Sequence, residues 1–160
     1  IRLTWDQFHK DCETLAENIR QSGCAFDKLL CITRGGVFVG GLLGHLLHLR
    51  NITTVALKLY EFDQQNQVVE QLSGPDLPLP GTRMLVVDDM LDSGRTLSYI
   101  VDKYGKDYDI DIAVLYDKGN GNLRANFTAR KIPDEWVWFP WEPPIPEDAE
   151  EGTTEAGATE

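Results

Sequence analysis

The stretch Leu85-Val86-Val87-Asp88-Asp89-Met90-Leu91-Asp92-Ser93-Gly94-Arg95-Thr96-Leu97 limits what this chain can fold into more than any other segment. It reads as a buried apolar strand, then paired carboxylates, then a Gly/Ser/Thr turn that opens a helix. A strand feeding directly into a helix is the unit of a parallel sheet, where ligands sit beyond the carboxyl ends of the strands. The turn offers unpaired backbone N–H groups at a helix N-terminus, a place that favours an anion. Ser93 and Thr96 add hydroxyl donors and Arg95 adds a charge. Asp88 and Asp89 cannot bind phosphate directly, but they can accept hydrogen bonds from sugar hydroxyls or hold Mg²⁺ through water. Phosphate at one end and diol-binding carboxylates at the other describe a ribose 5-phosphate. A helix cap would need one of these polar residues, not all of them.

The flanking sequence supplies the rest of such a sheet. Thr4 and Gln7 have the spacing of a capping box, and Phe8, Cys12, Leu15 and Ile19 follow at helical intervals up to Gly23. Strands are expected at 28–32, 53–59, 84–87 and 110–116, and helices at 37–47 and 96–104. Alternating strands and helices predict an α/β single domain with a mostly parallel sheet and helices on both faces. Residues 61–82 are Gln-rich and then Pro/Gly-rich, and are expected to form a long mobile lid loop, with a β-ribbon stem as an option. The domain is expected to span 1–146. Residues 147–160, with six acidic side chains and no basic one, are expected to be a disordered tail.

Composition excludes other classes. A net charge of −11 opposes nucleic acid as a partner, because phosphate contacts supply most non-specific affinity. No apolar run approaches the roughly 20 residues of a bilayer span. Ile1–Thr4 lacks the basic segment and long apolar core of a signal peptide, so no secretory leader is expected, and Cys12, Cys24 and Cys31 lack metal-ligand spacing. A reduced, cytoplasmic protein without a membrane partner is therefore expected. His9, His45 and His48 form no metal-binding pattern.

The string from Leu85 to Leu97 resembles the phosphoribosyl-pyrophosphate (PRPP) signature of type I phosphoribosyltransferases. Ile32-Thr33-Arg34-Gly35-Gly36 resembles the pyrophosphate loop of the bacterial xanthine-guanine (6-oxopurine) branch. Tyr60, Lys118, Glu135-Trp136-Val137 and Pro140-Trp141-Glu142 follow in that branch's order, so the resemblance runs from about Thr4 to Glu142. It implies the type I phosphoribosyltransferase fold, a cis peptide in the pyrophosphate loop at Thr33–Arg34, and assembly into a homodimer or homotetramer. It also implies Mg²⁺-dependent transfer of ribose 5-phosphate from PRPP to guanine, xanthine or hypoxanthine, with release of pyrophosphate, in purine salvage. The alternative is a PRPP-sensing regulatory protein on the same fold.

Roles then attach to residues. Arg34, Gly35, Asp88, Asp89, Ser93, Gly94, Arg95 and Thr96 are expected to bind PRPP. Arg34 offers a guanidinium fork, and the glycines allow close backbone approach. Lys118 is expected to donate to O6 of the base, Trp136 to stack on it, and the Val137 backbone to read its C2 substituent. Asp92 is the expected catalytic residue, managing the purine proton near N7. Asp88, Asp89 and Glu142 are the expected Mg²⁺ ligands. At least two of Trp136, Trp138, Phe139 and Trp141 are expected in the core or a subunit contact, because one planar base needs only one or two faces. The chain differs from the family pattern in three ways: the lid has no Lys or Arg between Lys58 and Arg83, Glu142 replaces an Asp, and Arg95 adds a charge to the phosphate loop.

Overall fold

The computed structural model describes residues 1–61, 67–75 and 82–144. Its elements run α1 (Trp5–Gln21), β1 (Lys28–Thr33), α2 (Gly35–Leu46), β2 (Ile52–Glu61), β3 (Gln67–Ser73), β4 (Arg83–Leu91), α3 (Arg95–Tyr104), β5 (Asp109–Asp117) and β6 (Phe127–Lys131). The six strands form one sheet in the order β3-β2-β1-β4-β5-β6. Every neighbouring pair is parallel except β2–β3, which is antiparallel.

Strand alternation divides the interior in two. Leu29, Cys31, Leu85, Val87, Ala113 and Leu115 face α1 and α2, joining Phe8, Cys12, Leu15, Val39 and Leu43 in one core. Leu30, Ile32, Met84, Val86, Ile112 and Val114 face the other way and pack with Leu97, Ile100 and Tyr104 of α3. The central strands are therefore apolar on both faces, as a helix-covered parallel sheet requires. One buried polar group spans the first layer. Asp11 accepts from Gln7 Nε2 at 2.9 Å and from the Tyr116 hydroxyl, and pairs with Arg130 at 3.2 Å. All three cysteines are free, and burial pushes the Cys12 and Cys31 thiols up to about 12. No helix among the described residues is long and apolar enough to cross a membrane.

Three local expectations need adjustment. Thr4 caps α1, accepting from the Gln7 amide at 3.1 Å, but the Gln7 side chain reaches Asp11 instead of completing the box. Strand β4 does not stop at Val87. It continues to Leu91, because β5 offers a paired partner as far as Asp117. In the segment 61–82 the β-ribbon option holds, since β3 at Gln67–Ser73 pairs antiparallel with β2, and of the remainder 62–66 and 76–81 lie outside the described residues. Gln71 Oε1 accepts from Tyr99 Oη at 3.3 Å, Lys103 Nζ at 2.7 Å and Tyr104 Oη at 3.2 Å, which ties β3 to α3. Finally, β6 is a strand that the sequence pattern did not reveal. The tail at 147–160 lies outside the described residues.

Candidate active site

Neighbouring strands β1 and β4 send their following helices to opposite faces of the sheet. Their carboxyl ends therefore open a crevice between the two outgoing loops, the general ligand position in such folds. The Arg34 loop forms one wall, and the Thr33–Arg34 peptide in it is cis. Arg34 is exposed at the head of α2. Gly35 is fixed by contact: a Cβ there would sit 1.8 Å from Asp89 Oδ2. Only glycine lets this loop lie against the carboxylate.

Asp88 and Asp89 stand on the opposite wall, half-buried. Burial, reinforced by the neighbouring Asp89, pushes the Asp88 carboxyl well above the usual carboxylate range. Burial also raises Asp89, with a smaller contribution from Glu142, which places that carboxylate near the pair. Glu142 accepts from the Phe139 amide at 2.8 Å. Among the described residues no three His, Cys, Asp or Glu side chains form a ready-made metal cage. The donors at Asp88 and Asp89 are nevertheless all oxygen, the chemistry a hard cation takes.

Beyond Leu91 the chain turns through Gly94, whose φ of 77° is the left-handed region that suits glycine, into the first turn of α3. No side chain caps α3. Ser93, Gly94 and Thr96 line a cavity of about 290 Å³, together with Asp92 and with Leu59 and Gln67 from β2 and β3. Arg95 is exposed beside it. A larger cavity of about 370 Å³, lined by His45, His48 and Arg50, lies by the start of β2, away from these loops. His9 pairs with Glu13 at 3.4 Å instead.

The third loop leaves β5. The Asp117 side chain accepts from the Gly119 amide at 2.8 Å, and the Lys118 amide donates to Leu91 O at 3.0 Å. These bonds bring Lys118 to Asp92. The Lys118 side chain is only 6% exposed, and its Nζ lies 3.4 Å from Asp92 Oδ2 and 3.3 Å from Asp134 Oδ1. A buried ammonium requires such anionic partners. Asn120 Nδ2 donates to Asp92 Oδ1 at 2.9 Å, and hydrogen bonds from Asn120 and Lys118 hold the Asp134 carboxyl below its ordinary value. Sequence reasoning missed Asn120 and Asp134, whose positions follow from the folding of β5 and β6.

The fourth segment pairs with the N-terminus. Ile1 N donates to Trp136 O at 2.7 Å, Trp138 N to Ile1 O at 2.8 Å and Leu3 N to Trp138 O at 2.9 Å. Alternation along this extended segment turns the Val137 main chain the other way. Trp136 is 67% exposed, whereas Phe139 is buried and stacks on Trp141 at 4.6 Å. Trp141 also stacks on Phe38 at 4.4 Å. Two of the four aromatic residues thus belong to a packed cluster. The structure brings Asp88, Asp89, Asp92, the Ser93–Thr96 loop, the Arg34–Gly35 loop and Lys118 to one end of the sheet, with Trp136 two residues beyond Asp134.

Residues 3–148 match the family described as "Phosphoribosyl transferase domain". The chain is 30% identical over 152 residues to the xanthine-guanine phosphoribosyltransferase of Ruegeria sp. (strain TM1040), an alignment covering 89% of this chain and 85% of that one. Among solved structures it resembles a purine phosphoribosyltransferase from Pyrococcus horikoshii, with a TM-score of 0.79, 26% identity, and coverage of 92% and 97% of the two chains. It also resembles the Helicobacter pylori xanthine-guanine-hypoxanthine phosphoribosyltransferase, with a TM-score of 0.74, 25% identity, and coverage of 94% and 96%.

Proposed function

Because the chain belongs to the phosphoribosyltransferase family, we propose that it transfers ribose 5-phosphate from PRPP to a 6-oxopurine and releases pyrophosphate. Guanine, xanthine and hypoxanthine are the candidate acceptors. The observation that carries this reading is the placement of Lys118 beside Asp92, one short turn from the Ser93–Thr96 loop. A phosphate seated on that loop puts the ribose over Asp88 and Asp89, and its C1′ toward Asp92. The ammonium of Lys118 donates to O6. It has no lone pair for the amino group of adenine, so adenine is disfavoured.

Each residue has a task. The first-turn amides of α3, with Ser93, Thr96 and Arg95, hold the 5-phosphate. Asp88 and Asp89 accept from the ribose hydroxyls. Arg34 and the amides of its loop meet the pyrophosphate. Asp92 takes the proton that the purine loses as its ring nitrogen attacks, and offsets charge at the oxocarbenium-like carbon. Trp136 covers one face of the base. Asp88, Asp89 and Glu142 would hold Mg²⁺, whose preference for oxygen donors their carboxylates meet. When bound, the ion neutralises charge on the departing pyrophosphate.

The test is a spectrophotometric screen of purine bases with PRPP and Mg²⁺. Turnover of at least one oxopurine and none of adenine is expected. No turnover of all three at saturating PRPP would overturn the reading in favour of a PRPP-binding regulator.

A further inference from the structure

The side chains of Asp92, Asn120, Asp134 and Lys118 close a ring at the base end of the site. Lys118 Nζ stands between Asp92 Oδ2 and Asp134 Oδ1, at 3.4 and 3.3 Å. Asn120 Nδ2 donates to Asp92 Oδ1 at 2.9 Å, and its amide also favours the charged form of Asp134. One amide and one ammonium thereby act on the same pair of acids. Among the described residues, these two acids leave the ammonium one N–H for an acceptor.

We propose that Asn120 and Asp134 are positioning residues that hold the proton-handling carboxylate and the base-reading ammonium in register. Neither touches the reacting atoms. The need for them follows from charge. Lys118 and Asp92, now 3.4 Å apart, would without a counter-pull close into a tighter ion pair. That contact would take the ammonium from O6 and the carboxylate from the purine proton. Asp134 pulls the ammonium back with an equal and opposite charge. Asn120 fixes Asp92 Oδ1, leaving its rotation about χ2 no freedom to follow. The ring therefore keeps the third ammonium N–H aimed at an incoming acceptor. This inference rests on the proposed transferase activity for its kinetic consequences, but the ring itself can be tested without turnover.

The Asn120 side-chain amide, assigned by its loss in Asn120→Ala, should shift in the ¹⁵N–¹H spectrum of both Asp92→Ala and Asp134→Ala. An amide that ignores either substitution overturns the proposal whatever the enzyme does. In turnover, Asn120→Ala should lower kcat about tenfold at unchanged KM for PRPP, as expected for a lost bond to a charged group. Asn120→Gln should recover most of that loss. In an Asp92→Asn background, Asn120→Ala should cost nothing further, because its target is already disabled. Asp134→Ala should raise KM for the base about tenfold, again by loss of a charged partner. Additive losses at Asp92 and Asn120 would assign Asn120 a separate role and refute the positioning. A wild-type chain without oxopurine turnover would defeat the transferase reading alone, leaving the spectra to decide the ring. All of these side chains except Lys118 are exposed, so misfolding does not cloud the variants.

Discussion

Asp88 illustrates how function is set against stability at a single residue. Its carboxyl is raised by burial and by Asp89, so the folded chain binds a proton there more readily than the unfolded chain. Stability is then highest at low pH on this account, and is lost as pH rises from the usual carboxylate range through the raised folded value. Asp88→Asn should consequently raise Tm at neutral pH, by about 2–4 °C for each kcal/mol relieved at this chain length. The gain should vanish near the acid end of that window, and PRPP·Mg²⁺ binding should vanish with the carboxylate. Calorimetric melts at several pH values check this. Asp92→Asn should behave differently, lowering kcat by roughly 10²-fold or more, within the range of general acid–base groups, while PRPP still binds. Parallel loss of binding and rate would make Asp92 structural. Gly35→Ala should be costly despite its small size, since the methyl would meet Asp89 Oδ2 at 1.8 Å. A loss of about 1–3 kcal/mol, as in overpacked sites, is expected in urea unfolding, together with a weakened PRPP site.

Elements differ in how far their sequence announces them. α1 and α3 carry apolar residues at helical intervals, and β1, β4 and β5 each contain an apolar run buried on both faces. Such segments bury themselves in any α/β arrangement, so their pattern was sufficient. β6 reads Phe-Thr-Ala-Arg-Lys, and its exposed Arg130 and Lys131 reflect an edge position that no local pattern states. β3 is legible only as a possible ribbon, and its bounds are not, for a related reason. Its glutamines look like loop composition, yet Gln71 is held by three donors that only tertiary folding supplies. The candidate site divides the same way. Asp88 to Thr96 and Arg34 lie in short motifs with local geometry, whereas Asn120 and Asp134 meet only after β5 and β6 pair. Gln71→Ala should detach β3 from α3, leaving Tyr99, Lys103 and Tyr104 without their shared acceptor. Faster hydrogen exchange across Gln67–Ser73 is expected, with a global loss of about 1–3 kcal/mol for unmet partners. Unchanged exchange would show that the β2 pairing alone holds the strand.

Across the whole molecule, the two cores lie on either face of the sheet, and the chemistry lies beyond one end of it. Ligand binding should therefore add to stability without rearranging either core. GMP at 100 times its Kd should stabilise the fold by about 2.7 kcal/mol, read as a rise in Tm in a thermal melt. AMP at the same concentration should give less, because Lys118 finds no O6 acceptor. An equal rise with both nucleotides would mean that the base is not read there. The separation of cores from chemistry has a further consequence, for how such a chain changes over generations. Asn120, Asp134 and Trp136 project from loops, and their own side chains belong to neither core. Substitutions there are spared the stability tax that purges most mutations, while the phosphate cradle stays anchored by Gly35 and Gly94. The sheet can pass unchanged to descendants while the choice of acceptor drifts, one exposed side chain at a time.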